Sequence, residues 1–381
     1  MAAEGYERLE AYLRAAEELG YATPLERALE GRAGIRDIVE LYRAPLWLLG
    51  GVARAVTDGL TGRRVGYIVN MIMNYTNICV VGCTFCSFYR RPGAPDAYKL
   101  EAREAAGRVI EAWRRFRIRQ VLFQGGVDPG IPIEYYEEAF RTIKEETRGE
   151  VAIHGLSVVE LEWLAKVNRV SLRDLLARLI EAGLDSVPGA GAEILSDRVR
   201  KLISPIKSSA DTWITTMETI MDMGLPISAT MMYGHLETLE ERAKHLLSLL
   251  DLQRRKGKIM SFITWNFEPG RSPLGEKVPY PAGGTETLRN IAVARIVFRG
   301  EIKWIQAGWL TAGVPLGQAS LEYGANDWGG TLYGEKVLPE AGVPLPTLVR
   351  SRIERLIKDA GYEPVERDNW YRPIAKAAVG A

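Results

Sequence analysis

Short apolar stretches alternate with amphipathic helical patterns along most of the chain from residue 67 onward. The apolar stretches are rich in β-branched residues, which is typical of strands buried on both faces of a parallel sheet. The segments between them repeat apolar residues at i, i+3, i+4 and i+7, so each predicts a helix that lays one face on the sheet. The predicted strands are 67–76, 120–126, 151–157, 185–193, 226–235, 260–269, 302–309 and, with the weakest pattern, 321–330.

Capping residues support three of the predicted helices. A Ser or Thr at the N-cap accepts a hydrogen bond from the N3 amide, and a glycine after the last turn adopts the left-handed conformation. The predicted pairs of N-terminal and C-terminal capping residues are Ser171 with Gly183, Ser208 with Gly224, and Thr238 with Gly257.

Eight strand–helix units match the (β/α)8 TIM-type barrel, whose usual length is about 250 residues. We therefore predict an α/β barrel over residues 65–331, with a helical N-terminal extension at 1–64 and a C-terminal extension at 332–381. An open doubly wound sheet is the alternative, because the last strand has a weak pattern. In a barrel, the functional side chains lie at the C-terminal ends of the strands.

Charge and hydropathy narrow the class of protein. The 381 residues include 49 basic and 48 acidic ones, for a formal charge of +1, and no long basic tract could bind a phosphate backbone. This argues against nucleic acid as a partner. No uncharged apolar run reaches the roughly 18 residues of a membrane span. The N-terminal pattern is that of an amphipathic helix and not of a signal peptide, which predicts a soluble, cytoplasmic protein without a membrane span.

All three cysteines of the chain lie in the stretch NYTNICVVGCTFCSFYR, at Cys79, Cys83 and Cys86. Clustered cysteines of odd number indicate a reduced metal-binding set and not structural disulfides. A zinc site usually has four ligands, and neither a fourth cysteine nor a nearby histidine is present. A four-iron cluster can be held by three thiolates, which leaves one iron open to a ligand that is not part of the protein.

The spacing C-x3-C-x2-C, with Phe85 just before the last cysteine and directly after the first predicted strand, resembles the radical S-adenosylmethionine (SAM) superfamily. The resemblance implies a [4Fe–4S] cluster bound by the three cysteines and a SAM molecule chelated to the open iron. One electron from an unidentified low-potential donor then cleaves SAM, and the resulting 5′-deoxyadenosyl radical removes hydrogen from a small-molecule substrate. A non-catalytic iron–sulfur protein is the alternative from another class.

The resemblance also implies contacts to SAM at other strand ends. The glycine-rich turn Gln124-Gly125-Gly126 corresponds to the turn that receives the methionine part, where glycine lets the backbone approach closely. Glu193 and Ser157 correspond to polar residues that hold the cofactor, and Phe85 lies beside it.

Motifs beyond the cysteine loop resemble the menaquinone and deazaflavin branch of the superfamily. They include LFQGGVDPGIPIEYYE, LDSVPGAGAEIL, ISPIKSSADTW, ATMMYGHLETLEER and YGANDWGGT. NYTN before the first cysteine, FYRRPG after the last, and TMMYGH are most similar to the members that cyclise dehypoxanthine futalosine in menaquinone biosynthesis. Members that make aminofutalosine or the deazaflavin FO are the alternatives within the branch.

The cyclisation that this resemblance implies requires a proton acceptor. A sugar radical adds to the attached aromatic ring, and the ring then loses a proton and an electron. Histidine suits this role near neutral pH. The predicted catalytic residues are therefore His235 and His154, which end predicted strands and are expected to face the barrel mouth, whereas His245 lies within a predicted helix and is expected to be solvated.

Overall fold

The computed structural model describes residues 2–346 and 348–374. Four helices precede the first strand, and the last of them packs against the later helix Gly284–Phe298. They are α1 (Ala2–Leu19), α2 (Ala22–Leu29), α3 (Ile35–Arg43) and α4 (Leu46–Thr61).

The strands of the barrel are short and mostly buried. They are β1 (Arg64–Ile68), β2 (Asn70–Met73), β3 (Gln120–Phe123), β4 (Ala152–Gly155), β5 (Leu184–Ser186), β6 (Ile227–Tyr233), β7 (Ile259–Asn266), β8 (Trp304–Ile305) and β9 (Asp327–Gly330). The helices that follow are α5 (Ala102–Phe116), α6 (Ile133–Glu146), α7 (Val158–Asn168), α8 (Leu172–Ala182), α9 (Asp197–Ile203), α10 (Ala210–Asp222), α11 (Leu239–Lys256), α12 (Gly284–Phe298), α13 (Trp309–Ala312) and α14 (Val314–Ser320).

The strands form a closed parallel barrel. β1 and β2 form one position in the barrel wall and are separated only by Val69. Parallel ladders join β2–β3–β4–β5, β6–β7–β8 and β1–β9. Parallel bridges Val187↔Ile227 and Gln306↔Asp327 close the two remaining gaps. Every predicted strand overlaps an observed one, so the barrel prediction is confirmed and the open doubly wound sheet is wrong.

The predicted helix caps are mostly confirmed. The Ser171 and Thr238 hydroxyls accept hydrogen bonds from the N3 amides of α8 and α11, and Gly183 and Gly257 end these helices at positive φ. The prediction for Ser208 is wrong, because the neighbouring Ser209 caps α10 by accepting from the amide of Thr212.

The last described residues return to the barrel. After a 3₁₀ turn (Leu321–Tyr323) and the helices α15 (Val337–Glu340) and α16 (Arg350–Asp359), strand β10 (Glu363–Glu366) pairs in parallel with β1. Arg367 then forms a buried ion pair with Asp327, and Gln120 donates to Asn369 over 2.6 Å. The predicted domain bounds stay a prediction. Among the described helices, none is long and apolar enough to cross a membrane.

Candidate active site

One cavity of about 470 Å³ opens at the C-terminal ends of the strands and extends into the barrel. The three cysteines line it, together with Phe85 and the Gln124–Gly126 turn. Ser157, Glu193 and His154 line it as well. The fold thus brings together every predicted metal-binding and cofactor-binding residue and one of the two predicted catalytic histidines.

Backbone hydrogen bonds fix the cysteine loop to three neighbouring segments. The amide of Cys79 donates to the carbonyl of Arg90 over 2.8 Å, and the amide of Val80 donates to Val127 over 3.0 Å. The amide of Thr84 donates to Ile203 over 2.8 Å. The thiol positions are therefore set by the surrounding barrel and not by the loop alone.

The three thiols suit a multi-iron cluster better than a single metal ion. A four-iron cluster places each thiolate on a separate iron and can be held by three cysteines. Burial raises the pKa of Cys83 and raises that of Cys86 to about 11. Thiolates at these positions need a strongly positive partner, which cluster iron provides.

The glycine turn lies directly against the cysteine loop. A Cβ at Gly126 would lie 2.1 Å from the carbonyl oxygen of Ile78 and 3.0 Å from the Cβ of Cys79, so no side chain fits there. The amide of Gly125 donates to the buried carboxylate of Glu160 over 3.2 Å. Ser157 caps α7 and donates its hydroxyl to the same carboxylate over 2.6 Å, which links the turn to the helix.

Glu193 forms a buried ion pair that sequence reasoning missed. Its carboxylate pairs with Lys207, whose Nζ lies 5.2 Å from the ring centroid of Phe85. Burial disfavours ionisation of Glu193, but the Lys207 charge outweighs this and lowers the pKa of the carboxyl. Burial also opposes the charge on Lys207, but its pKa is raised, since the thiolate of Cys83 and the carboxylate of Glu193 favour the ammonium. Lys207 lies in ISPIKSSADTW, one of the motifs that resemble the branch, and the sequence alone assigns no role to its lysine.

His154 lies inside the barrel. Its Nδ1 is 2.7 Å from the hydroxyl of Ser186 and its Nε2 is 3.2 Å from that of Ser228. Burial, with a smaller contribution from the Arg367 charge, lowers the pKa of His154 to about 3. The imidazole is therefore neutral at neutral pH.

The other two histidines do not lie where the sequence indicated. His235 does not line the cavity, because its ring is fully buried beside Phe267 and its Nδ1 lies 3.3 Å from Glu237. His245 is not solvated. It is completely buried on helix α11, and its Nδ1 accepts a hydrogen bond from the amide of Leu195. In both cases, packing of neighbouring elements decides the direction of the side chain.

Comparisons with known proteins agree with this site. The chain matches the radical SAM superfamily over residues 73–249 and the CofH/MqnC C-terminal region over residues 256–378. Two solved structures share the fold. Methylornithine synthase (PylB) has a TM-score of 0.68 at 18% identity, covering 90% of this chain and 97% of that one. The hydrogenase maturase HydG has a TM-score of 0.70 at 16% identity, covering 94% and 79%.

Several enzymes are similar to this chain over nearly their full length. Cyclic dehypoxanthine futalosine synthase of Streptomyces coelicolor is 38% identical over 357 residues, 92% of this chain and 88% of the relative. Aminodeoxyfutalosine synthase of Thermus thermophilus is 36% identical over 354 residues, which cover 92% of this chain and 94% of the relative. The 5-amino-6-(D-ribitylamino)uracil–L-tyrosine 4-hydroxyphenyl transferase 1 of Methanosarcina acetivorans is 36% identical over 359 residues, which cover 93% of this chain and 94% of the relative. The chain therefore belongs to the radical SAM superfamily, as an enzyme of the futalosine and deazaflavin branch that uses a [4Fe–4S] cluster and SAM.

Proposed function

We propose that this enzyme cyclises dehypoxanthine futalosine in the futalosine route to menaquinone. The observation that carries the proposal is the position of the motifs most similar to the cyclases. Asn74 of NYTN and Phe88 and Tyr89 of FYRRPG line the cavity beside the cysteines, so these motifs form the wall of the reaction chamber. The Streptomyces coelicolor synthase is 38% identical to this chain, compared with 36% for the aminodeoxyfutalosine synthase and for the Methanosarcina acetivorans transferase.

The residues that would hold the cofactors lie on one side of the cavity. Cys79, Cys83 and Cys86 would bind three irons, and Gly126 would allow the backbone to approach the methionine part of SAM. When bound, the cluster and SAM supply a 5′-deoxyadenosyl radical that takes one hydrogen atom from the substrate. The buried Glu193–Lys207 pair would orient the polar part of SAM beside Phe85.

The remaining chemistry needs one proton acceptor. After the carbon–carbon bond forms, the ring loses one proton, and one electron returns to the low-potential carrier that supplied the first. We assign proton acceptance to His154, because it lines the cavity and is neutral at neutral pH. The hydroxyls of Ser186 and Ser228 lie within hydrogen-bond distance of its two ring nitrogens and would carry the proton away from the imidazole.

The test identifies the products of the wild-type enzyme by mass. The anaerobically reconstituted, reduced protein is incubated with SAM and dehypoxanthine futalosine. We expect free 5′-deoxyadenosine, methionine and a product lighter than the substrate by two hydrogens. A product that carries the adenosyl group would instead identify an aminofutalosine-forming enzyme, and absence of any substrate-dependent product would reject the assignment.

A further inference from the structure

Besides the hydroxyl of Ser261 on β7, three polar atoms of cavity-lining side chains have no hydrogen-bond partner in the described part of the chain. They are the hydroxyl oxygens of Thr264 and Thr311 and the indole Nε1 of Trp328, and all three residues line the cavity. Trp328 is completely buried and Thr264 is 2% exposed. A buried donor without a partner costs free energy, so a ligand that supplies partners here would be bound favourably.

These three atoms come from adjacent parts of the barrel. Thr264 is on β7 and Trp328 is on β9, and β8 lies between these two strands. Thr311 lies in α13, which directly follows β8. A Cβ at Gly308, just before α13, would lie 3.1 Å from the carbonyl oxygen of Thr264, so this helix starts directly over the end of β7. The two threonines and the tryptophan therefore lie on adjacent elements of the barrel wall.

An aromatic surface accompanies the polar atoms. The rings of Trp309 and Trp328 are nearly parallel, with an interplanar angle of 14° and centroids 6.5 Å apart, and both residues line the cavity. Flat apolar rings next to hydroxyl and N–H groups suit a ligand that has both C–H faces and oxygen atoms.

The charges around the cavity select an uncharged ligand group. Lys207 and Arg367 are the only Lys or Arg side chains among the described residues that line it, and they are already paired with Glu193 and Asp327. A carboxylate buried against Thr264 and Trp328 would have no free cation, which is costly. Hydroxyl groups avoid this cost, and threonine can both donate to them and accept from them.

We infer that the surface formed by Thr264, Thr311, Trp309 and Trp328 is a subsite for the polyol or sugar part of the substrate. The inference rests on the proposed function, in which the substrate carries a sugar. Its hydroxyl groups would accept a hydrogen bond from the indole N–H of Trp328 and exchange hydrogen bonds with the two threonines. The C–H face of the sugar would pack against the apolar part of the wall formed by β7, α13 and β9.

The test measures binding to the reconstituted holoenzyme and does not depend on turnover. The probes are dehypoxanthine futalosine, its sugar-deoxy analogues, and the polyol 5-amino-6-(D-ribitylamino)uracil. Thr264→Val replaces the hydroxyl with a methyl group, and Trp328→Phe removes the indole N–H together with two ring carbons. We expect each to weaken binding of a hydroxylated probe by about 5- to 30-fold. The loss should disappear for the deoxy analogue that lacks the contacted oxygen, as in a double-mutant cycle.

Trp213→Phe is the matched control, because the Trp213 indole N–H is also buried without a partner among the described residues, but Trp213 does not line the cavity. It should leave probe affinity within about twofold of the wild type, which is a smaller change than the loss of one hydrogen bond would cause. Equal losses for parent and deoxy probes, unchanged affinity in Trp328→Phe and Thr264→Val, or failure of every polyol probe to bind the wild type would overturn the inference. Product identification tests the cyclisation separately, so the two proposals can fail independently.

Discussion

At the scale of single residues, the surroundings of a histidine determine what it can do. His154 lies in the barrel interior between two serine hydroxyls, whereas His235 is enclosed beside Glu237 and Phe267. Only the first of these imidazoles lines the cavity. We expect His154→Gln to keep releasing 5′-deoxyadenosine while cyclised product falls by about 10²-fold, the usual effect of losing a positioned base.

The measurement for His154 compares both products by mass spectrometry in the same reaction. His235→Gln is the control and should keep the wild-type ratio of cyclised product to 5′-deoxyadenosine. If His235→Gln alone lowers this ratio, the proton acceptor has been assigned to the wrong histidine.

Gly126 is a second residue whose role follows from geometry. We expect Gly126→Ala to displace the cysteine loop, since the new Cβ would lie 2.1 Å from the carbonyl oxygen of Ile78. Iron and sulfide analysis after reconstitution should show loss of most of the cluster. Gly107→Ala is the control, because a Cβ at Gly107 on helix α5 meets nothing within 4 Å and should stabilise the helix by about 1 kcal/mol. Full cluster content in Gly126→Ala would contradict this account.

His245 provides a pH-dependent prediction. Burial lowers its pKa from 6.5 to about 3, so the unfolded chain binds the proton first as the pH falls. The contribution of His245 to stability is therefore present above about pH 6.5 and is lost at about 1.4 kcal/mol per pH unit toward pH 3. The variant His245→Gln keeps a hydrogen-bond acceptor for Leu195. Between about pH 7 and pH 4.5, we expect its free energy of unfolding to fall by about 2–3 kcal/mol less than that of the wild type. Urea unfolding of both proteins checks this, and identical pH dependence would refute it.

The role of a residue could be predicted from the sequence where the residues that act together are close in the chain. It could not be predicted where folding brings distant residues together. Cys79, Cys83 and Cys86 lie close together in the chain, so their shared role was visible there. The partner of Glu193 is fourteen positions away, at Lys207, and helix α9 lies between the two residues in the chain. The direction of His235 depends on Phe267, which follows the neighbouring strand β7.

At the scale of elements, the cap of α7 connects helix stability to the cofactor side of the cavity. The Ser157 hydroxyl accepts from the amide of Glu160 and donates to its carboxylate, which in turn accepts from the amide of Gly125. We expect Ser157→Ala to lower the free energy of unfolding by about 1–2 kcal/mol and also to weaken SAM binding, because the Gly125 turn loses its support.

Ser171→Ala is the matched control for this cap. Ser171 accepts from the amide of Asp174 at the start of α8, on an exposed surface away from the cavity. It should lower the free energy of unfolding by about 1 kcal/mol without changing SAM affinity. Thermal unfolding and equilibrium SAM binding separate the two effects, and wild-type SAM affinity in Ser157→Ala would show that the cap is only structural.

At the scale of the whole molecule, the count of alternating strands and helices predicted the barrel. The periodic pattern sufficed for seven strands, because each is a buried apolar run between amphipathic helices. β9 was hard to place, since Asp327 and two glycines replace its apolar residues. Asp327 occurs there because it pairs with Arg367, forty positions away, which no periodic pattern reveals.

This pair holds the end of the described chain against the barrel. The guanidinium of Arg367 binds both carboxylate oxygens of Asp327, over 2.6 and 2.8 Å, and the two side chains are 4% and 0% exposed. Arg367→Met would leave Asp327 as a buried charge without its partner, so we expect the free energy of unfolding to fall by about 3–5 kcal/mol. Arg372→Met removes an exposed arginine paired with Asp368 and should cost at most about 1 kcal/mol. Denaturant unfolding of both variants checks the difference, and similar losses would mean that the buried pair does not attach the C-terminal segment to the barrel.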